Sequence, residues 1–162
     1  MIEINESNIT FESVYNSPYS PQDEEFKQAN MLLLPYHNFR EGVEYCFSEY
    51  AEEILQYVRK NGSEELKTDI AITDEKYQII EMHSMLLDLG LFIVQNVLIP
   101  MAVSILANFI YDKVKSLHKD NKEVNVRVRI ISQDTDGKSK EIRYDGSADE
   151  FDMVIKAAEK LK

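Results

Sequence analysis

The chain has 162 residues, 44% of them hydrophobic and 29% charged, which suits one folded domain rather than a disordered segment. Its net charge of −11 is concentrated in residues 1 to 88, which hold 18 acids and 6 bases, and a chain this acidic repels nucleic acid. The single cysteine, Cys46, excludes an internal disulfide and a cysteine-based zinc site.

At the N-terminus, Ile2 and Ile4, then Ile9 and Phe11, alternate around the polar run NESN and predict a short hairpin. MIEINESNIT has neither a basic nor an apolar leader region, so no secretory signal is expected. In SPQDEEFKQANMLLLP, Ser20 suits a helix N-cap, Pro21 the first helical position, and Asp23, Glu24 and Glu25 the positive end of the dipole, with Pro35 as the stop.

A second helix is predicted over 38–60. Asn38 and Glu41 have capping-box spacing, and Val43, Phe47, Tyr50, Ile54, Tyr57 and Val58 recur at helical intervals before Asn61-Gly62. On that helix Glu41, Glu44, Glu49 and Glu52 share the face opposite the apolar stripe, and Tyr45 lies among them. Tyrosine offers a large rigid surface and a hydroxyl, so these five residues are the candidate partner-binding set, and their charge suits a basic protein partner.

Leu66, Thr68, Ile70 and Ile72 alternate as a short strand. From Thr73 to about His118 the turn signals are only Gly90 and Pro100, which predicts one long kinked helix or two in series. Its centre, LGLFIVQNVLIPMAVSILANFIY over 89–111, is 23 residues without a charge. That length could span a bilayer. Lys113, Lys115, Lys119 and Lys122 follow it, so the positive-inside rule would hold the C-terminus in the cytoplasm and require export of 88 leaderless residues. A buried helix in a cytoplasmic protein is therefore preferred; a small membrane-anchored protein with a cytoplasmic C-terminal module is the alternative. Asn96, Pro100, Ser104 and Asn108 form one polar stripe on this helix, where it would meet polar atoms or water. The rest is apolar enough to call for either a larger core or a partner chain, which makes a homodimer through residues 89–111 possible.

EVNVRVRII places Val124, Val126, Val128 and Ile130 on one face of a strand; Asp134-Thr-Asp-Gly137 is a turn, and KEIRY is the returning strand. Ser147 and Glu150 then form a capping box before the stripe Phe151, Val154, Ile155, Ala158 and Leu161. The fold class expected is thus a single α+β domain over 1–162: an acidic, mainly helical part (1–88), an apolar central helix (89–118), and a strand-strand-helix unit (119–162).

Through KVKSLHK, VNVRVRI and IRYDGSADEF, residues 100 to 162 loosely resemble effector-associated constant components, small modules of bacterial conflict systems. The resemblance implies a non-catalytic accessory or immunity-type role in bacterial defence and assigns no functional residue.

No catalytic signature emerges. His37, His83 and His118 are isolated in sequence, and the Asp134–Gly137 turn lacks carboxylates where a calcium loop needs them, with Ser132 first and Arg143 twelfth. No glycine run can cradle phosphate, and Cys46 belongs to an apolar stripe rather than an exposed cationic setting. The sequence points to a protein-binding protein that is not an enzyme and needs no metal or cofactor.

Overall fold

A computed structural model describes residues 1–81, 86–117 and 124–161. His83, His118, Lys119 and Lys122 lie outside the described residues. In chain order the elements are β1 (Ile2–Ser7), α1 (Phe11–Tyr15), α2 (Glu24–Lys27), β2 (Met31–Leu34), β3 (Tyr36–Arg40), β4 (Val43–Ser48) and α3 (Ala51–Asn61). There follow β5 (Thr68–Ile70), β6 (Ile79–Ile80), β7 (Leu86–Gln95), α4 (Ile99–Leu117), β8 (Asn125–Gln133), β9 (Ser139–Ser147) and α5 (Asp152–Glu159).

The architecture is mixed α/β and is dominated by a six-stranded sheet of order β1-β9-β8-β7-β2-β5, with a second sheet of order β3-β4-β6. This overturns the α+β arrangement of N-terminal helices and a single central helix. Among the described residues only α4 is a long helix.

The largest correction concerns the uncharged run. Its first part belongs to β7, which pairs antiparallel with β2 and parallel with β8. Leu87 to Val94 are buried without interruption, because this central strand is covered on both faces. Such a strand reads as a continuous apolar run rather than an alternating one, and periodicity cannot then separate strand from helix. Only after Gln95 does the chain turn into α4, so residues 89–111 do not form one helix. The stretch Asn96–Ser116 is still long and apolar enough, by length and composition, to cross a membrane; its mean hydropathy is 1.5 and 44% of it is buried within the fold.

The N-terminal corrections have the same origin. MLLL is not the end of a helix but β2, buried along its length, and the helix before it shrinks to α2, capped by Asp23 rather than Ser20. The predicted helix over 38–60 is a β3–β4 hairpin followed by α3. β1 does not fold back on Ile9 and Phe11; it pairs with β9 at the sheet edge, while Thr10 caps α1. The long helix expected from Thr73 begins as one 3-10 turn, Asp74–Lys76. At the C-terminus β8 and β9 form an antiparallel hairpin, Ser147 caps a 3-10 turn, and α5 follows.

Two apolar layers hold the large sheet. On one face Met31, Leu33, Phe92, Val94, Val128 and Ile142 pack against α3, α4 and α5. On the other, Leu32, Leu34, Leu91, Ile93 and Ile131 pack under Phe11, Val14 and Phe26 from the α1–α2 segment. Part of the apolar surface of residues 89–111 is covered within the chain by these layers, while Val97 and Tyr111 stay exposed. Of the polar stripe, Ser104 and Asn108 are exposed and Asn96 and Pro100 half-buried, so α4 turns this side toward solvent.

The α1–α2 segment reaches only as far as β8. Register places Glu141, Arg143 and Asp145 of β9, with Glu3 and Asn5 of β1, on the same face beyond it. That part of the sheet stays open and carries charge, as one side of an antiparallel sheet commonly does.

Candidate functional site

The site lies where the β3–β4 hairpin meets this partly open sheet face. The β3–β4 pairing runs Tyr36 opposite Cys46 and His37 opposite Tyr45, then slips before Arg40 pairs with Val43. Asn38 occupies the slip at φ 54°, the one positive φ of a non-glycine residue among the described residues. Asparagine is among the residues that tolerate this left-handed conformation. Strict alternation would send Tyr36 and Phe39 to opposite faces. The irregularity instead brings their rings into a stack, 5.4 Å between centroids and 22° between planes. Re-aiming a side chain is a recurrent use of such bulges. Phe39 consequently remains 38% exposed over the sheet.

Beneath the hairpin, β7 carries a second irregularity between Asp88 and Gly90. Gly90 adopts φ +100°, open to glycine, and its N–H donates to Asp88 Oδ1 at 3.0 Å. The Tyr36 hydroxyl donates to the same oxygen at 2.7 Å, and Ser48 Oγ donates to the Asp88 carbonyl at 2.6 Å. Asp88 is buried, and its Oδ2 has no hydrogen-bond partner among the described residues. Burial raises the Asp88 pKa above the usual carboxylate range, against the opposing pull of the Tyr36 and Gly90 hydrogen bonds and of Arg127. Burial, then the carboxylate, likewise pushes the Tyr36 hydroxyl far up.

Arg127 stands beside Asp88 in the β7–β8 ladder, with Arg129 two residues along on the same face. Arg129 is locked: its Nε and Nη2 donate to Glu141 Oε1 at 3.2 and 2.7 Å. Arg143 donates to Glu141 Oε2 at 3.2 Å. Arg127 is held loosely, its Nε 3.6 Å from Asp145 Oδ2. Together Tyr19, Tyr36, His37, Phe39, Arg127 and Arg129 line a cleft of about 530 Å³ with an apolar floor of Val14, Leu34 and Leu91. That volume falls in the range of ordinary ligand sites.

The residues predicted from sequence are distributed differently. Glu41 sits in the hairpin turn, Glu44 and Tyr45 on β4, Glu49 before α3 and Glu52 in its first turn, so no common helix face joins them. Glu41, Glu44 and Glu52 are exposed and Glu49 is half-buried. Tyr45 is a core residue, 9% exposed. It stacks on His37 at 5.0 Å and packs against Tyr19 at 5.1 Å. Burial first, and the neighbouring Glu44 carboxylate second, raise its hydroxyl pKa. Tyr45 thus supports the hairpin from behind while Phe39 is presented outward. Cys46 is buried, as its apolar setting in sequence suggested.

Sequence reasoning missed Tyr36, Phe39, Asp88, Arg127 and Arg129. Two signals were there to be read. Asp88 abuts a long uncharged run, where a carboxylate is drawn into the core. Arg127 and Arg129 are the outward members of VNVRVRI, and three of the chain's five arginines end on one sheet face. Among the described residues no three His, Cys, Asp or Glu side chains are grouped to hold a metal ion.

No protein-family model, curated protein or solved structure significantly matches this chain.

Proposed function

We propose that the protein is a non-catalytic binding protein that engages a protein partner through the β3–β4 hairpin and the cleft at its foot. One observation carries this reading: a left-handed asparagine and a register slip hold Phe39 exposed above two arginines, where a regular hairpin would alternate it away. An exposed aromatic beside arginine is the composition of binding hot spots. Glu41 and Glu44 on the same hairpin, within an N-terminal half that is strongly acidic, supply a rim that steers a basic surface toward it. The accessory or immunity-type role rests separately on the resemblance of residues 100 to 162 to effector-associated constant components.

The test is affinity capture from the native host with the wild-type chain, Phe39→Ala and Tyr111→Ala. Tyr111 is 61% exposed on α4, behind the opposite face of the sheet, and serves as the control. A protein captured by wild type and Tyr111→Ala and lost with Phe39→Ala supports the reading. Capture unchanged by Phe39→Ala overturns it.

A further inference from the structure

The three arginines of the open face are not equivalent. Glu141, only 9% exposed in its side chain, occupies Arg129 through two nitrogens and reaches Arg143 with its other oxygen. Among the described residues Arg127 makes one ion pair, at 3.6 Å, beyond hydrogen-bond length, and its partner Asp145 is 56% exposed. An ion pair this long and this wet contributes little. The neighbouring carboxylate of Asp88 spends one oxygen on Tyr36 and Gly90 and stays buried. A guanidinium without a close counter-ion thus lines a cleft whose other contents are a stacked aromatic pair and an apolar floor.

From this geometry we infer that the cleft receives an aromatic residue carrying an adjacent carboxylate, with Arg127 binding the carboxylate and Phe39 and Tyr36 stacking on the ring. This deepens the protein-binding reading and rests on it for the source of the ligand, a segment of the partner chain. Guanidinium and carboxylate match as planar forks with two parallel hydrogen bonds. A phosphate dianion fits less well. Among the described residues of this face only one guanidinium is under-compensated, Asp145 and Asp88 stand beside it in the ladder, and the whole chain carries −11. The ring has an offset partner waiting in Phe39, and the floor of Val14, Leu34 and Leu91 takes its apolar edge.

The test is a ¹⁵N NMR titration of the intact chain at neutral pH. N-acetyl-phenylalanine presents a terminal carboxylate beside the ring, and N-acetyl-Phe-Asp-amide a side-chain carboxylate next to it. N-acetyl-phenylalaninamide is the uncharged counterpart, and phenyl phosphate the dianion. The inference expects saturable shifts in amides of β3, the Asp88–Leu91 segment and the Arg127–Arg129 segment with one or both carboxylates. Whichever binds tighter identifies a chain end or an internal acidic residue as the natural source. The uncharged amide should bind at least tenfold more weakly. Arg127→Ala should lose about tenfold, and Arg127→Lys should recover part of that, since it restores charge without the fork. Absence of saturable shifts with either carboxylate, equal binding of the amide, or unchanged affinity in Arg127→Ala would overturn the inference. Tighter binding of phenyl phosphate would overturn the choice of carboxylate. Partner capture that needs Phe39 but not Arg127 would leave the binding reading standing and remove this one. Fragment binding with capture indifferent to Phe39 would do the reverse.

Discussion

Replacing Tyr36 with Phe removes one hydroxyl and leaves the ring that stacks on Phe39. The hydroxyl donates to the buried Asp88 carboxyl at 2.7 Å, so the cost depends on whether that carboxyl is charged. A hydrogen bond to a neutral group contributes about 1 kcal/mol and one to a charged group about 1.5–3 kcal/mol. The folded-state pKa of Asp88 lies above its ordinary value of 3.8, with burial as the main cause. The stability that a raised carboxyl contributes is therefore complete below 3.8 and is lost as pH rises through the folded value. The Tyr36 hydrogen bond favours the ionised form, so its removal raises that pKa further and deepens the loss on the alkaline side. Tyr36→Phe should cost about 1 kcal/mol at pH 4 and about 2 kcal/mol or more at pH 8, the latter lowering Tm by about 4–8 °C. Asp88→Asn keeps an oxygen for Tyr36 and Gly90 and carries no charge. In that background Tyr36→Phe should cost about 1 kcal/mol at both pH values. Urea unfolding of the four chains at pH 4 and pH 8 measures the cycle. Equal costs of Tyr36→Phe at both pH values in the Asp88 chain would refute the coupling.

Three further outcomes are expected. Gly90→Ala should destabilise by about 1–3 kcal/mol in denaturant titration, since the position has φ +100° and a Cβ would stand 2.9 Å from Leu33 Cδ1. Glu141→Ala leaves Arg129 and Arg143 without their shared carboxylate and should cost about 1–2 kcal/mol, less than a fully buried pair because the arginine side chains are 29% and 50% exposed. Phe39→Ala should leave thermal stability nearly unchanged, whereas Tyr45→Ala should lower Tm clearly, as differential scanning calorimetry would show.

Where one face of an element is wet, its pattern could be read directly. β8 alternates Val126, Val128 and Ile130 with Arg127 and Arg129, and α5 shows a stripe through Phe151, Val154 and Ala158. Cys46 could be placed inside by its neighbours. The hairpin of 38–48 could not be recognised, because Val43, Phe47 and Tyr50 happen to satisfy helical spacing while Tyr36, Tyr45 and Phe47 are claimed by contacts from distant residues. Tyr45 shows the consequence: on a helical wheel it falls among acids, and on β4 it falls between His37 and Tyr19.

By itself, the sequence determined the charge imbalance, the single cysteine, the uncharged, apolar character of residues 89–111 and the alternation of β8. All of these follow from composition or from contact with water on one side only. The tertiary structure decided that MLLL and LGLFIVQ are neighbouring strands, since a segment covered on both faces shows no period and its state is set by which strands pair with it. It also decided the site. Tyr36 and Phe39, Asp88, and Arg127 come from three strands far apart in the sequence, and two backbone irregularities rather than any motif bring them together.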